Sequence, residues 1–257
     1  MKAVEKRLED EQKFHNEIFE TDKRTSEVGQ LYTINTAIND VYEGFIFDNP
    51  KNKVYLEYGC GMVKGGRLTK LVKQGAKVHG IDISDYAIEF LNKEAEEEGL
   101  DIDYQIMNAE DISFQDSYFD VIYGTGILHH LDLEKSFESF SQKLKKDGTA
   151  IFIEPLGHNP LINRFRDKTP EIRTQDEHPL LMGDFELAKE YFKNVDIQYF
   201  YLTTLGVPIF FKKNQPRFLI NFFNGVDRVL FMLFPFLRKH AWQVIVKLSG
   251  SKATRNM

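Results

Sequence analysis

Cysteine is almost missing from this 257-residue chain, in which Cys60 stands alone. A single thiol excludes an internal disulfide framework and any zinc site built on cysteines, and it suits a reducing compartment. Long apolar runs are missing as well. No stretch reaches the roughly 18 consecutive apolar residues of a membrane-spanning helix. The first twenty residues (MKAVEKRLEDEQKFHNEIFE) are charged throughout, unlike a secretory signal. The expectation is a cytoplasmic protein. Internal repeats and low-complexity tracts are lacking too. What is present suffices for a sizeable core: 42% hydrophobic residues beside 28% charged exclude a disordered or collagen-like chain.

Acidic residues are scarce toward the C-terminus. The chain carries −6 overall, but residues 206–257 hold nine basic side chains and one acid, Asp227, so residues 1–205 carry −14. An acidic body argues against a nucleic-acid partner, and the basic residues near the C-terminus lie among phenylalanines rather than on a polar stripe.

Strand and helix signals alternate from about residue 53 to 153. Val54–Tyr58, Lys77–Asp82, Ile102–Ile106, Phe119–Tyr123 and Ala150–Ile153 read as strands. Between them Leu68, Leu71 and Val72 fall on one helical face closed by Gly75. Ser84 is placed to cap a helix carrying Ile88, Leu91 and Ala95, and Asp132 another carrying Leu133, Phe137, Phe140 and Leu144. Asp184 is expected to cap a short helix, Phe185–Phe192. Val195–Thr203 and Trp242–Leu248 read as closing strands, with two apolar bursts joined at Asn224-Gly225 between them. This predicts an α/β fold, a doubly wound, seven-stranded, mostly parallel sheet. It has an N-terminal helical cover over 1–45 (Phe14, Ile18 and Phe19 on its apolar side) and a helical insertion before the last strand. The body of the domain spans 46–257.

In such a sheet ligands bind beyond the carboxyl ends of the strands, where strand order reverses. The first strand ends in Glu57-Tyr58-Gly59-Cys60-Gly61, whose glycines permit a tight turn and close approach to a ligand. Asp82, about twenty residues on, ends the second strand, where a carboxylate accepts from both hydroxyls of a ribose. A nucleoside cofactor follows, though not which one. Gly59, Gly61 and Gly65 meet a loose dinucleotide fingerprint, whereas the strict pattern fails at Lys64.

Residues 53–154 resemble the class I, Rossmann-like S-adenosylmethionine-dependent methyltransferases at four motifs in order. VYLEYGCG is similar to the first, VHGIDIS to the second, MNAEDISFQDSYFDVIYGTGILHHL to the third and fourth, and LKKDGTAIFIEP to the strand that follows. The resemblance implies S-adenosylmethionine as cofactor. It places the amino-acid end at Gly59, Cys60 and Gly61 with Glu57 near the ammonium, the ribose at Asp82 and the adenine against Ile83, Asn108, Ala109 and Glu110. Gly124 and Thr125 would lie beneath the sulfonium. Two departures stand out. The loop MVKGG is about two residues longer than the family's, which makes Gly66 the expected third glycine, and Asn108 replaces a common Asp.

His129 and His130 follow the fourth strand, and either imidazole is a candidate general base or a packing residue. No metal site is expected there, because neighbours on an ordered element point apart and no Cys or carboxylate cluster accompanies them in sequence. Residues 155–183 form a polar connection too long for an ordinary loop and are read as a substrate lid, with His158, Arg173 and His178 meeting a polar or anionic part of the substrate. Residues 214–239, rich in Phe, Leu, Arg and Lys, are a membrane-interface segment, a cap over a hydrophobic pocket, a dimer contact or added core. The combined expectation is methyl transfer to a small, lipophilic, quinone-, isoprenoid- or acyl-like molecule, with possible peripheral contact at the inner face of a membrane. A cofactor-binding module without turnover and a nicotinamide-dependent reductase are the alternatives.

Overall fold

In the computed structural model, residues 2–21, 33–170, 177–211 and 215–253 are described. The short β-branched and aromatic runs become seven strands: β1 Val54–Tyr58, β2 Lys77–Asp82, β3 Ile102–Ile106, β4 Phe119–Thr125, β5 Leu144–Pro155, β6 Phe192–Phe200 and β7 Gln243–Ser251. They form one sheet in the order β3-β2-β1-β4-β5-β7-β6. β1 pairs in parallel with β2 and β4, while β7 runs antiparallel between β5 and β6. Strand order therefore reverses between β1 and β4, and the carboxyl ends of these two strands bound the crevice.

Both faces of the sheet are covered. Along β5, Ala150 and Phe152 enter one core while Ile151 and Ile153 enter the other; in β7, Val244 and Val246 part from Ile245 in the same way. Period-two alternation with apolar residues on both sides is what burial between two helical layers requires. Helices α1 Lys2–Thr21, α2 Thr36–Ile46, α3 Arg67–Lys73, α4 Asp85–Glu98 and α5 Leu133–Lys143 lead up to and alternate with the first strands. Helices α6 Pro160–Arg166, α7 Met182–Tyr191, α8 Gly206–Phe210 and α9 Arg217–Leu233 follow. Residues 36–46, read from the sequence as part of the cover, pack against the sheet instead. Ile38, Tyr42 and Ile46 are buried there, and the Tyr42 hydroxyl donates to the carbonyls of Gly124 (2.6 Å) and Ile151 (3.3 Å).

The caps at Ser84 and Asp132 form as expected, accepting from the amides of Ala87 and Lys135. Three local readings are corrected. Asp184 does not cap α7; it sits one turn inside and accepts from the Leu181 amide at 2.7 Å, so the helix starts at Met182. Asn224-Gly225 does not break the chain: α9 runs through it unbroken, because Asn224 and Asp227 are buried on the same side as Ile220 and Phe231. The third glycine with positive φ is Gly65 (φ +61°), whereas Gly66 precedes α3 as its N-cap at φ −64°.

Candidate active site

At the carboxyl ends of β1, β2, β4 and β5 the chain encloses a cavity of about 870 Å³. Its first wall is the turn after β1. Gly59 and Gly61 both lie at positive φ (+63° and +57°), and a Cβ on Gly59 would meet Ile127 Cδ1 at 2.9 Å. Only glycine gives this turn together with this approach. Asp82 holds the turn from beneath. Buried at the end of β2, its Oδ2 accepts from the Gly61 amide (2.8 Å) and its Oδ1 from the Ser84 amide (2.9 Å). Glu57 also lines the cavity, with Tyr123 Oη donating to it at 3.2 Å. Burial pushes the Glu57 carboxyl up to about 7, against the pull of the Arg67 guanidinium. Burial likewise pushes the Cys60 thiol up, so Cys60 lines the wall as an inert group and not as a thiolate.

The second wall is a single 3₁₀ turn, Leu128–His130, following β4. Glu154 grips it from the end of β5. This fully buried carboxylate accepts from the amides of Ile127 (2.9 Å) and Leu128 (2.8 Å) and stands 2.7 Å from His129 Nδ1. Two amides occupy Oε1, so Oε2 is left to take the proton on Nδ1, which puts the lone pair of the ring on Nε2. Nε2 faces the Glu177 carboxylate at 3.8 Å. Burial pushes the Glu154 carboxyl up to about 7 despite these donors. The adjacent imidazoles do not point apart: the His129 and His130 ring centroids are 4.3 Å from each other. One ring is held by Glu154 and the other approaches Glu11 Oε1 at 3.7 Å, so the tight turn delivers both to the same space. The candidate ligand atoms of His129, His130 and Glu177 lie within 4.8 Å of one another, as do those of Glu11, His15 and His130. Imidazole and carboxylate donors of this kind suit a divalent cation.

Helix α1 closes the third side. Its Arg7 pairs with Glu110, Gln12 donates to the Ile83 carbonyl (2.9 Å) and Asn16 donates to Asp85 (2.7 Å), while Leu8, His15, Ile18 and Phe19 line the cavity. Fixed in this way, α1 covers the ends of β2 and β4.

Of the residues nominated from sequence, Glu57, Gly59, Cys60, Gly61, Asp82, Ile83, Asn108, Ala109, Glu110, Thr125, His129 and His130 all reach this one cavity. Gly124 does not line it; a Cβ there would meet the Tyr58 carbonyl at 2.8 Å, so this glycine serves strand packing. His158 is turned toward α7, where its Nε2 accepts from the Met182 amide at 3.3 Å. His178 sits beside the turn through its backbone, its amide donating to the His129 carbonyl at 2.9 Å. Arg173 lies outside the described residues. Sequence reasoning missed Glu154, Glu177, Arg7 and the α1 contacts. Glu154 left a trace as a charged residue ending the apolar run Ala150–Ile153, and Glu177 as one of the polar residues concentrated in the connection read as a lid.

Two carboxyls raised to about 7 make stability depend on pH. Between the ordinary carboxylate value of about 4.5 and about 7, the folded protein retains protons that the unfolded chain has released, so stability falls as pH rises through that window. Urea midpoints are therefore expected to drop from about pH 5 to about pH 8, and Glu154→Gln is expected to flatten the slope. A midpoint rising over that range would contradict the assignment.

Comparison with known proteins agrees with the fold. The sequence profile of a family described as methyltransferase domain matches residues 56–152. The ubiquinone biosynthesis O-methyltransferase of Azoarcus sp. is 32% identical over 136 residues, 52% of this chain and 56% of that protein. That of Nitrosococcus oceani is 36% identical over 110 residues, 42% of this chain and 45% of that protein. The chain thus spans about half the length of the curated relatives it matches. Among solved structures, phosphoethanolamine N-methyltransferase 2 of Haemonchus contortus superposes with a TM-score of 0.62 at 16% identity, covering 92% of this chain and 60% of that one. Geranyl diphosphate C-methyltransferase of Streptomyces coelicolor does so at 0.57 and 15%, covering 84% and 79%. At such identities the likeness is one of fold. The matched segment supplies β1 through most of β5, the glycine turn, Asp82 and the His129-His130 turn. Residues 56–152 match the family described as methyltransferase domain, and the fold that carries them is that of the solved methyltransferases.

Proposed function

We propose that the protein transfers a methyl group from S-adenosylmethionine to an oxygen of a small lipophilic molecule of the quinone-, isoprenoid- or acyl-bearing kind. The observation that carries this reading is one cavity holding both the glycine turn with Asp82 and the His129–Glu154 pair. The curated relatives named for ubiquinone biosynthesis and the neighbour named for geranyl diphosphate support a lipophilic acceptor.

The residues present fit the cofactor. Asp82 is a buried carboxylate at a cavity wall, and the backbone of Gly59 and Gly61 lines the same space. Gly59, Cys60, Gly61 and Glu57 would hold its amino-acid end, Asp82 its ribose, and Ile83, Asn108, Ala109 and Glu110 its base, with Gly124 and Thr125 closing the strand end. When bound, S-adenosylmethionine offers a methyl group on a sulfonium, open to in-line displacement. The protein's own part is orientation, exclusion of water and removal of one proton. His129 Nε2 takes the proton of the acceptor hydroxyl, and Glu154 stabilises the imidazolium through Nδ1. Helix α1 forms the cover and residues 155–183 the lid, with Arg173, His178 and the neighbouring His130 the polar groups assigned to the acceptor, while His158 is engaged with α7. No nucleic acid takes part.

Among the described residues no helix is long and apolar enough to cross a membrane. The reading places the protein at a membrane periphery on the cytoplasmic side, in contact through 214–239. The test is incubation with methyl-labelled S-adenosylmethionine and a cell extract, followed by partition between organic solvent and water. Protein-dependent label in the organic phase is expected. Label confined to water would overturn the lipophilic acceptor, and no label would overturn transfer.

A further inference from the structure

Helix α9 exposes an apolar stripe although two polar side chains are buried on its inner side. Ile220, Asn224, Asp227 and Phe231 face inward at helical spacing. The outward stripe, offset by two residues, carries Phe218 (70% exposed), Phe222 (62%), Val229 (49%) and Met232 (66%). The ridge continues on both sides of the helix: Phe210 and Phe211 before it, Leu233, Phe234 and Phe236 after it, all exposed. A monomer in water rarely leaves so many large apolar side chains together in solvent. Two of the four sequence readings of this segment do not describe the ridge, and added core holds only for the inner side of α9, at Ile220 and Phe231. The ridge is not added core, since it is exposed. It is not a cap on the cavity, since none of its described residues lines that space.

Charge decides between the two that remain. Arg217, Arg228 and Lys239 are exposed along the ridge, and from residue 206 onward the only acid is Asp227, which is buried. Arg217 meets one carboxylate from elsewhere, Asp40 of α2, at 3.4 Å across an exposed surface. Two copies of a basic surface repel, whereas basic side chains flanking phenylalanines match anionic headgroups above acyl chains.

The ridge is also joined to the cavity. The 3₁₀ segment Pro235–His240 that ends it is tied to the start of α6: Asn159 Nδ2 donates to the His240 carbonyl (2.6 Å), and His240 Nδ1 donates to the His158 carbonyl (3.1 Å). From α6, Ile162, Phe165 and Arg166 line the cavity, while Leu161 on its outer side is exposed; Trp242 and Gln243, just after the segment, line it as well.

We propose that the ridge formed by the exposed apolar side chains of α9 and the phenylalanines flanking it is a docking surface for an anionic lipid bilayer, set so that the α6 side of the cavity faces the membrane and receives its acceptor from the lipid phase. The second half rests on the lipophilic-acceptor reading above; the docking does not. The experiment uses the full chain with phosphatidylcholine vesicles, with or without phosphatidylglycerol, and reads co-sedimentation, so it involves no turnover. Binding to the anionic vesicles, released by salt, is expected. Phe218→Ser with Phe222→Ser, and separately Arg217→Glu with Arg228→Glu, are expected to weaken it by about tenfold or more. S-adenosylhomocysteine affinity, measured by calorimetry, is expected to stay unchanged in both, which shows the fold and cavity intact. No binding at any ionic strength overturns the proposal. So does a dimer seen by light scattering that the phenylalanine variant abolishes while vesicles go unbound. If vesicles bind but label from the methyl-transfer assay stays in water, docking stands and the lipophilic acceptor falls.

Discussion

His129→Ala is expected to lower kcat by about a hundred- to ten-thousandfold while S-adenosylhomocysteine still binds, the range that loss of a general base produces. The sharper experiment is at its partner. Glu154→Gln keeps the shape and keeps an acceptor for the amides of Ile127 and Leu128. With its oxygen so engaged, the glutamine must present an N–H to His129 Nδ1. Nδ1 then accepts, the ring proton moves to Nε2, and the face toward the cavity loses its lone pair. A folded, cofactor-binding enzyme with activity about as low as His129→Ala is the expected outcome, since a wrong tautomer costs nearly as much as a missing base. Wild-type kcat is expected to rise with pH through about 7, as the raised Glu154 carboxyl ionises and holds Nδ1–H, and this limb is expected to vanish in Glu154→Gln. Should Glu154→Gln retain activity within about threefold of wild type with the same pH profile, His129 is a packing residue and the proton leaves by another route.

The parts of the fold written in local chemistry were legible in the sequence. β1, β2 and β3 occupy the residues expected of them, because each is a short segment whose Val, Ile, Leu or Tyr side chains favour a strand. Ser84 and Asp132 begin helices where their side chains reach an unsatisfied amide. The first wall of the cavity was legible for the same reason: Gly59, Gly61 and Asp82 lie within one turn and one strand, so their spacing brings them together. What escaped depends on contacts remote in sequence. Glu154 meets His129 from 25 residues away, and Arg7 meets Glu110 from 103. No periodicity encodes such pairings. The side-by-side imidazoles escaped because a 3₁₀ turn held at both ends does not obey the divergence expected of a regular element. Asn224-Gly225 misled for the complementary reason. Read alone it is a turn signal, but burial of Asn224 beside Ile220 and Asp227 outweighs the local preference, and the helix passes through.

Asp227→Ala is expected to cost about 4 kcal/mol or more of unfolding free energy, a large fraction of the whole for a domain of this size. In sequence this residue is merely the single acid of a basic segment. In the structure it is fully buried and anchors α9. Its Oδ1 accepts from the Thr203 amide (2.7 Å) and Thr203 hydroxyl (2.5 Å), and its Oδ2 from the Leu202 amide (2.9 Å), Thr204 amide (3.2 Å) and Thr204 hydroxyl (2.7 Å). The hydroxyls can turn elsewhere; the amides of the 3₁₀ turn Thr203–Leu205 and of Leu202 before it cannot, and each buried amide left bare costs roughly 1–3 kcal/mol. Asp227→Asn is expected to cost less, because one oxygen remains to accept from the Leu202 and Thr204 amides, yet its new N–H group would then face the Thr203 amide. The check is urea unfolding, with Asp227→Ala lowering the midpoint by more than about 1 M and Asp227→Asn falling between it and wild type. A loss under about 1 kcal/mol in both would mean that water reaches these amides and that α9 is held by Ile220 and Phe231 alone. The same carboxylate lets the helix turn its apolar stripe outward: with five hydrogen bonds securing the inner side, Phe218, Phe222 and Met232 are not needed to bury it.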